Sequence, residues 1–306
     1  MNAGVGARTR NSGHTPVLLN EIVQLLDPKP GEFFIDGTVD GGGHAAAIME
    51  RIMPAGTFLG VDWDKKMIAA CDTRRQYGGR EKYVYGNYAE LPAILRKEKL
   101  GKADGLLLDL GFSSEQLAAS GRGFSFSEGS ASEPLIMTYD DARPPVAELL
   151  RGLKEEELAN IIFELGGERR SRQIAKAIVA RERKQPILTS GELAETVRSA
   201  APANYEHGRI DPATRTFQAL RIYANDELGN LERVLGHLDG ILKKGGRVAI
   251  VSFHSLEDRI VKRSFQTASK EKKVELLTKK PVTASREEAT RNPRSRSAKL
   301  RAATIL

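Results

Sequence analysis

The feature that most limits how this chain can fold is an alternation in its first third. Short apolar runs bounded by Gly or Asp recur at Phe33 to Asp36, Thr57 to Asp62, Lys82 to Tyr85 and Gly105 to Leu110. Between them lie stretches with helical spacing, His44 to Ile52, Lys65 to Arg75 and Tyr88 to Arg96. Runs that are apolar on both faces predict strands buried between two layers of helices, so the alternation predicts an α/β protein with a mostly parallel sheet.

From about Glu115 the texture changes. A Gly/Ser-rich loop, GRGFSFSEGSASEP, leads into segments such as PVAELLRGLKEEELANIIFEL and ERRSRQIAKAIVARERK, whose apolar residues fall three and four apart with charged residues between. The run Gly245 to Phe253, GGRVAIVSF, is β-branched and follows a Gly-Gly turn, which predicts a fifth parallel strand rejoining the first sheet; VELLT and LRAATIL are candidate closing strands. The expected organisation is a disordered lead over residues 1–13, a sheet domain in two pieces, 14–114 and 205–306, and an inserted, mostly helical domain over 115–204.

Charge points toward a polyanion. The chain carries 47 Lys and Arg against 40 Asp and Glu, a net charge of +7, and the excess is concentrated from Lys270 onward. Cys71 is the single cysteine, which rules out an internal disulfide and a cysteine-based zinc cluster and favours a cytosolic protein. The five histidines are too scattered to suggest a metal site, and no 18-residue apolar run suggests a membrane span.

Candidate chemistry gathers where these strands end. Asp36 closes the first run and leads into GTVDGGGHAAAI, a glycine-rich turn opening a helix, where Gly41, Gly42 and Gly43 let backbone approach a ligand. Asp62 closes the second run, placed to accept hydrogen bonds from ribose hydroxyls. These features also meet the loose dinucleotide pattern, so an NAD-dependent dehydrogenase stays open at this point. S-adenosylmethionine is favoured because Asp36 would repel a pyrophosphate, His44 follows the glycines, and a further strand ends in DLGFSS; a sulfonium cation welcomes nearby carboxylates. Trp63 is expected to fill the seam between sheet and helix, while Tyr88 can either do the same or pack on adenine.

Asp109, at the end of the fourth strand run, stands where open α/β sheets bind ligands. Methyl transfer to an amine needs an acceptor for the amine proton and close positioning, and Asp109, a loop carbonyl near Gly111, or Ser113 can serve. The cluster SFHSLEDR follows the fifth strand. Ser255, Glu257 and Asp258 read as a helix start, whereas Phe253 and His254, with Arg259 beyond, are candidates for contact with an extruded base. In NPRSRSAKLR, Arg294 and Arg296 are candidate phosphate contacts.

Taken together, HTPVLLNEIV, DGTVDGGGH, GVDWD, LLLDLGFSSEQL, GRGFSF, DPATRTFQALRIYANDEL, VSFHSLEDRIVKR and NPRSRSAKLR, in one order along nearly the whole chain, resemble the ribosomal RNA small-subunit methyltransferase H family. The resemblance implies a class I S-adenosylmethionine-dependent methyltransferase fold with an inserted substrate-recognition domain. It implies methylation of the N4 amine of a cytosine in the decoding region of small-subunit (16S) ribosomal RNA, in the cytoplasm, with the RNA presented within the small ribosomal subunit by a monomer or homodimer. It places cofactor contacts on Gly42, Gly43, His44, Asp62, Tyr88, Asp109 and Gln116. Two departures stand out: Asp40 replaces a glycine of the loop, and PLIMTYD replaces PLDMRMD, with Ile136, Thr138 and Tyr139 at the changed positions. The rival from another class is an RNA-binding assembly factor that keeps the pocket and has lost turnover.

Overall fold

The computed structural model describes residues 16–73, 77–110, 121–202, 204–205 and 210–306. The expected lead over 1–13 lies outside these residues. The chain divides into two compact units: Met1–Gly111 with Asn230–Leu306, and Phe112–Gly229.

The first unit is built on a seven-stranded sheet. Its strands are β1 (Phe33–Asp36), β2 (Thr57–Asp62), β3 (Glu81–Tyr85), β4 (Ala103–Asp109), β5 (Leu242–Ser252), β6 (Val274–Leu276) and β7 (Lys299–Ile305). Their order is β3-β2-β1-β4-β5-β7-β6, with β1 to β5 parallel and β7 antiparallel to both β5 and β6. The mostly parallel α/β class expected from the alternation is what the chain adopts. The chain reverses its lateral progression between β1 and β4, which opens a crevice at their carboxyl ends. There Asp36 sits in register with Leu107, and Asp109 with Val251.

Both faces of the sheet are covered, as the apolar runs require. Phe34, Phe58, Leu107, Ala249 and Val251 pack on one side with Ile22, Ile48 and Ile52, from helices α1 (Leu19–Leu26) and α2 (Gly43–Ile52). On the other side Ile35, Leu59, Leu106, Leu108 and Ile250 pack with Leu91 and Leu95 of α4 (Leu91–Lys97), which follows α3 (Lys65–Asp72) in sequence. Alternate residues of each strand thus feed two cores. Cys71 is buried in the first of them, as a small core residue. The helix expected from Tyr88 instead begins as a 3-10 turn over Tyr88–Glu90, because the Asn87 side chain accepts the Ala89 N–H (2.9 Å) and Pro92 stands at the helix start.

The second unit is helical: α5 (Val146–Gly152), α6 (Glu155–Gly166), α7 (Ser171–Lys184), α8 (Ser190–Ala200) and α9 (Ala213–Asn225). Leu158 and Ile162 of α6, Ile174 and Ile178 of α7, Leu193 and Val197 of α8, and Leu220 of α9 are fully or almost fully buried. Thr189 and Glu192 start α8 with a reciprocal cap. The division falls at Gly229, not at residue 204, because α9 belongs to this body. Gly166 lets α6 approach the α9 backbone, where a Cβ would stand 2.4 Å from the Arg215 carbonyl oxygen.

The departure at PLIMTYD is internal to this unit. Thr138 and Tyr139 are buried, Tyr139 stacks on Phe124 with ring centroids 5.0 Å apart, and the Asn225 amide holds the Tyr139 N–H (2.9 Å) and the Met137 carbonyl (2.8 Å). Thr138 and Tyr139 therefore serve packing beneath the surface.

Gly105 sits where a Cβ would fall 2.0 Å from the Phe34 ring. Gly105→Ala is expected to destabilise the sheet unit by about 1–3 kcal/mol, the range for overpacking a tight core. Denaturant unfolding followed by circular dichroism measures it; an unchanged midpoint would show that Phe34 has room to move.

Candidate active site

Three strand ends deliver carboxylates to the crevice. Asp36 closes β1 and is 1% exposed; its Oδ1 accepts the Thr38 N–H (3.1 Å) and the Thr38 hydroxyl (3.4 Å). Burial pushes its pKa up to about 8, with the neighbouring Asp109 and Asp62 charges adding to the rise and the Thr38 hydrogen bonds opposing it. Asp62 closes β2, and burial likewise raises it, to about 6. Its Oδ2 accepts the Asp40 N–H (3.0 Å) and its Oδ1 the Asp64 N–H (2.9 Å). The Trp63 N–H is a third backbone donor to it, so the carboxylate is oriented by the backbone and keeps a lone pair with which to accept from a hydroxyl. At neutral pH Asp36 is largely protonated and Asp62 largely ionised.

The turn between β1 and α2 follows from its residues. Asp40, the departure noted above, takes a left-handed backbone (φ 42°), the conformation a glycine adopts most easily. The hydrogen bond from its N–H to Asp62 helps hold that turn. Gly42 (φ 79°) stands at the start of α2 with its N–H on the Val39 carbonyl (2.8 Å). Gly43 serves packing: a Cβ there would meet Pro16 at 2.4 Å.

His44 and Asp109 meet. Nε2 of His44 donates to the Val17 carbonyl (2.9 Å), and Nδ1 lies 3.6 Å from Asp109 Oδ2. In the neutral tautomer fixed by Val17, Nδ1 presents a lone pair to the carboxylate; only the imidazolium would donate to it. The Asp109 N–H donates to Thr38 Oγ1 (2.7 Å). Thr38 thus joins Asp36 at the end of β1 to Asp109 at the end of β4, a role the sequence reading missed; its signal was a hydroxyl two residues after a strand-end Asp. Tyr88 is 7% exposed and tilts against the half-buried Trp63, ring centroids 6.2 Å apart. Both aromatics therefore line the seam past β2 and β3.

Other candidates are placed differently from one another. Arg294 is half buried; that burial lowers its pKa, while the charges of Asp109 and Asp40 act to raise it, so it lies within the field of the crevice acids. Arg296 is exposed, its Nε donating to the Ala289 carbonyl (3.3 Å). His254, and not Ser255, caps helix α12 (Ser255–Lys270, the third helix after α9), its Nδ1 accepting the Glu257 N–H (3.4 Å) while Glu257 Oε2 accepts the Phe253 N–H (2.8 Å). Phe253 is partly buried against the core on the α1 and α2 side, and Arg259 is exposed on α12. Asp258 does more than start a helix: it binds Arg301 (2.7 Å) and Lys299 (3.3 Å) of β7, and although burial works the other way, these cations hold its pKa below the usual carboxylate value. Ser113 and Gln116 lie outside the described residues, as does Gly111.

Comparison with known proteins decides what this crevice belongs to. The model of the MraW methylase family matches residues 11–306. The chain belongs to that family. A protein of Syntrophobacter fumaroxidans named ribosomal RNA small subunit methyltransferase H is 44% identical across 94% of this chain and 95% of its own length. One of the same name from Granulibacter bethesdensis is 42% identical across 98% and 94%. Among solved structures, a putative rRNA-methylase from Clostridium thermocellum aligns over 96% of this chain and 98% of its own at 10% identity, with a TM-score of 0.44. As a MraW methylase the chain has the class I methyltransferase fold, and its methyl donor is S-adenosylmethionine. The crevice fits that donor: Asp62, ionised at neutral pH, and the Asp109 side chain beside His44 offer acceptors to a cation, where a pyrophosphate would be repelled.

Thr38→Val removes the acceptor of a part-buried N–H and a donor to Asp36. It is expected to weaken S-adenosylmethionine binding about tenfold, the scale of one lost part-buried hydrogen bond, with Thr38→Ser close to wild type. Isothermal titration calorimetry on the three proteins checks this; equal affinities for all three would remove Thr38 from the site.

Proposed function

We propose that the chain transfers the methyl group of S-adenosylmethionine to the exocyclic N4 amine of a cytosine in small-subunit ribosomal RNA, presented within the small ribosomal subunit in the cytoplasm. The observation that carries the reading is the acid-lined crevice at the ends of β1, β2 and β4 in a chain of the methylase family. Family relatives named ribosomal RNA small subunit methyltransferase H supply the substrate class.

The bound cofactor supplies a methyl group already activated by sulfonium, so little covalent work falls to the protein. Asp62, fixed by the backbone N–H groups of Asp40, Trp63 and Asp64, accepts from the ribose. Gly42, Gly43 and His44 form the wall of the glycine turn, Tyr88 the aromatic wall, and Gln116 completes the cofactor set. Asp109 stands at the reacting edge. The N4 lone pair is delocalised into the cytosine ring, and an acceptor on its N–H returns electron density to nitrogen and aligns it for in-line attack. Asp109 is our candidate for that acceptor; water, Ser113 or a carbonyl near Gly111 can take the proton in its place. Phe253, with His254 fixed beside it by the helix cap, borders the target base. Arg259, Arg294 and Arg296 provide cations for the RNA backbone, Arg294 nearest the crevice.

The direct test is transfer of labelled methyl from S-adenosylmethionine to small subunits lacking the modification, with naked RNA in parallel and nucleoside analysis of the product. N4-methylcytidine is the expected product, and Asp109→Ala is expected to lower the rate at saturating cofactor by at least about tenfold. Tight cofactor binding with no transfer to either substrate would instead favour the assembly-factor rival.

A further inference from the structure

Helix α7 of the helical unit carries a one-sided row of cations that the active-site chemistry does not use. Arg172, Lys176, Ala180 and Arg183 recur at intervals of four, four and three residues, which keeps them on one face, and Arg169 is exposed just before the helix begins. All five are exposed. The row from Arg172 to Arg183 is roughly 16 Å long at 1.5 Å per residue.

What surrounds the row separates it from an ordinary solvated face. Among the described residues, Arg169, Arg172, Lys176 and Arg183 enter no ion pair, and neither does Lys184 at the end of the helix, although Arg181 and Glu182 are engaged. Arg181 reaches Glu192 (3.9 Å) and the Gln185 carbonyl, and Glu182, the helix's single acid, accepts the Ile187 N–H (2.7 Å). The acid before the helix is turned inward: Glu168 is 1% exposed, accepts the Tyr205 hydroxyl and the Arg170 N–H (2.7 Å), and lies 3.7 Å from Arg215. Like charges four apart repel along a helix, so Arg172 and Lys176 work against helix stability. The unit does not lack acids, with three opening α6, yet none pairs with the row. A buried apolar face at Ile174, Ala175 and Ile178 meanwhile holds the helix rigid.

We propose that this face of α7 is a binding surface for the RNA phosphate backbone, gripping the substrate on the helical unit. Spaced cations on a rigid rod suit a polyanion with regularly spaced charges, and such contacts position a nucleic acid without reading its sequence. The inference rests on the reading of ribosomal RNA as the substrate and adds to it the surface that holds the RNA.

The test replaces Arg172, Lys176 and Arg183 together by Ala in the full chain, and follows binding of naked small-subunit RNA against salt. A matched control replaces Arg96, Lys97 and Lys102, three exposed cations of the sheet unit. Each phosphate contact contributes roughly 0.7–0.9 to the slope of log affinity on log salt, so the row variant is expected to lose about 2–3 from that slope, and about tenfold or more in affinity near 0.15 M salt. The control is expected to keep the slope. S-adenosylmethionine affinity should stay at the wild-type value in both, and the double variant Arg172→Lys, Arg183→Lys should bind RNA nearly as wild type. Equal slope changes in row and control variants, or none in either, would overturn the proposal. So would a loss confined to assembled subunits with the naked-RNA slope unchanged, which would place a ribosomal protein on this face. Failure of the wild type to bind or methylate RNA at all would sink the underlying reading, and is recognised separately in the same titrations.

Discussion

The hydrogen bond from the Asp109 N–H to the Thr38 hydroxyl ties the ends of β1 and β4 together at the point where strand order reverses. A parallel sheet leaves the last N–H and C=O groups of its strands without ladder partners, and at a reversal the neighbouring loops leave in opposite directions, opening a gap. Something must hold that gap at a fixed width. Thr38 does so from a turn that also gives both its N–H and its hydroxyl to Asp36. The glycine turn, the two further carboxylates and His44 are all set out from this link.

A crevice lined by Asp36, Asp62 and Asp109 is costly, because burial removes the water that stabilises each charge. The structure spreads that cost unequally. Asp36, deepest and flanked by two other acids, has its pKa raised to about 8 and gives up its charge at neutral pH. Asp62 rises only to about 6, held by three backbone N–H groups, and keeps its charge where a ribose needs an acceptor. Asp109 is the least buried of the three and faces His44 on one side and the field of Arg294 on the other. A neutral Asp36 beside an ionised Asp62 suits a cofactor with a single positive sulfur better than two buried anions would.

The sheet was legible in the sequence because buried parallel strands are apolar on both faces, so β1, β2, β4 and β5 stood out, and the first three end abruptly in Asp, which marks their carboxyl ends. The strand-end acids were legible for the same reason. Long-range decisions were not. An amphipathic helix states that one face is covered without naming the cover, so α9 was assigned to the sheet domain when Gly166 and the approach of Arg215 place it on α6. His254 looked free beside an aromatic, yet its ring nitrogen closes a helix cap, a role sequence patterns reserve for Ser, Thr, Asp and Asn. Arg294 read as one of a pair with Arg296, but two residues apart on a 3-10 turn face different ways: Arg294 is half buried in the field of Asp109 and Asp40, and Arg296 is exposed. Thr38 was hidden because its two partners are joined only once β1 and β4 lie side by side.

The central claim is that the crevice is built for a cation, with the Asp109 carboxylate beside it. The most direct measurement compares calorimetric affinities of wild type and Asp109→Asn for S-adenosylmethionine and for S-adenosylhomocysteine, which shares every contact group except the charged sulfur and its methyl. The account predicts that Asn weakens S-adenosylmethionine about tenfold more than S-adenosylhomocysteine, a difference of about 1.4 kcal/mol. Equal weakening of the two ligands would contradict it, leaving Asp109 as a hydrogen-bond acceptor with no electrostatic part in holding the methyl donor.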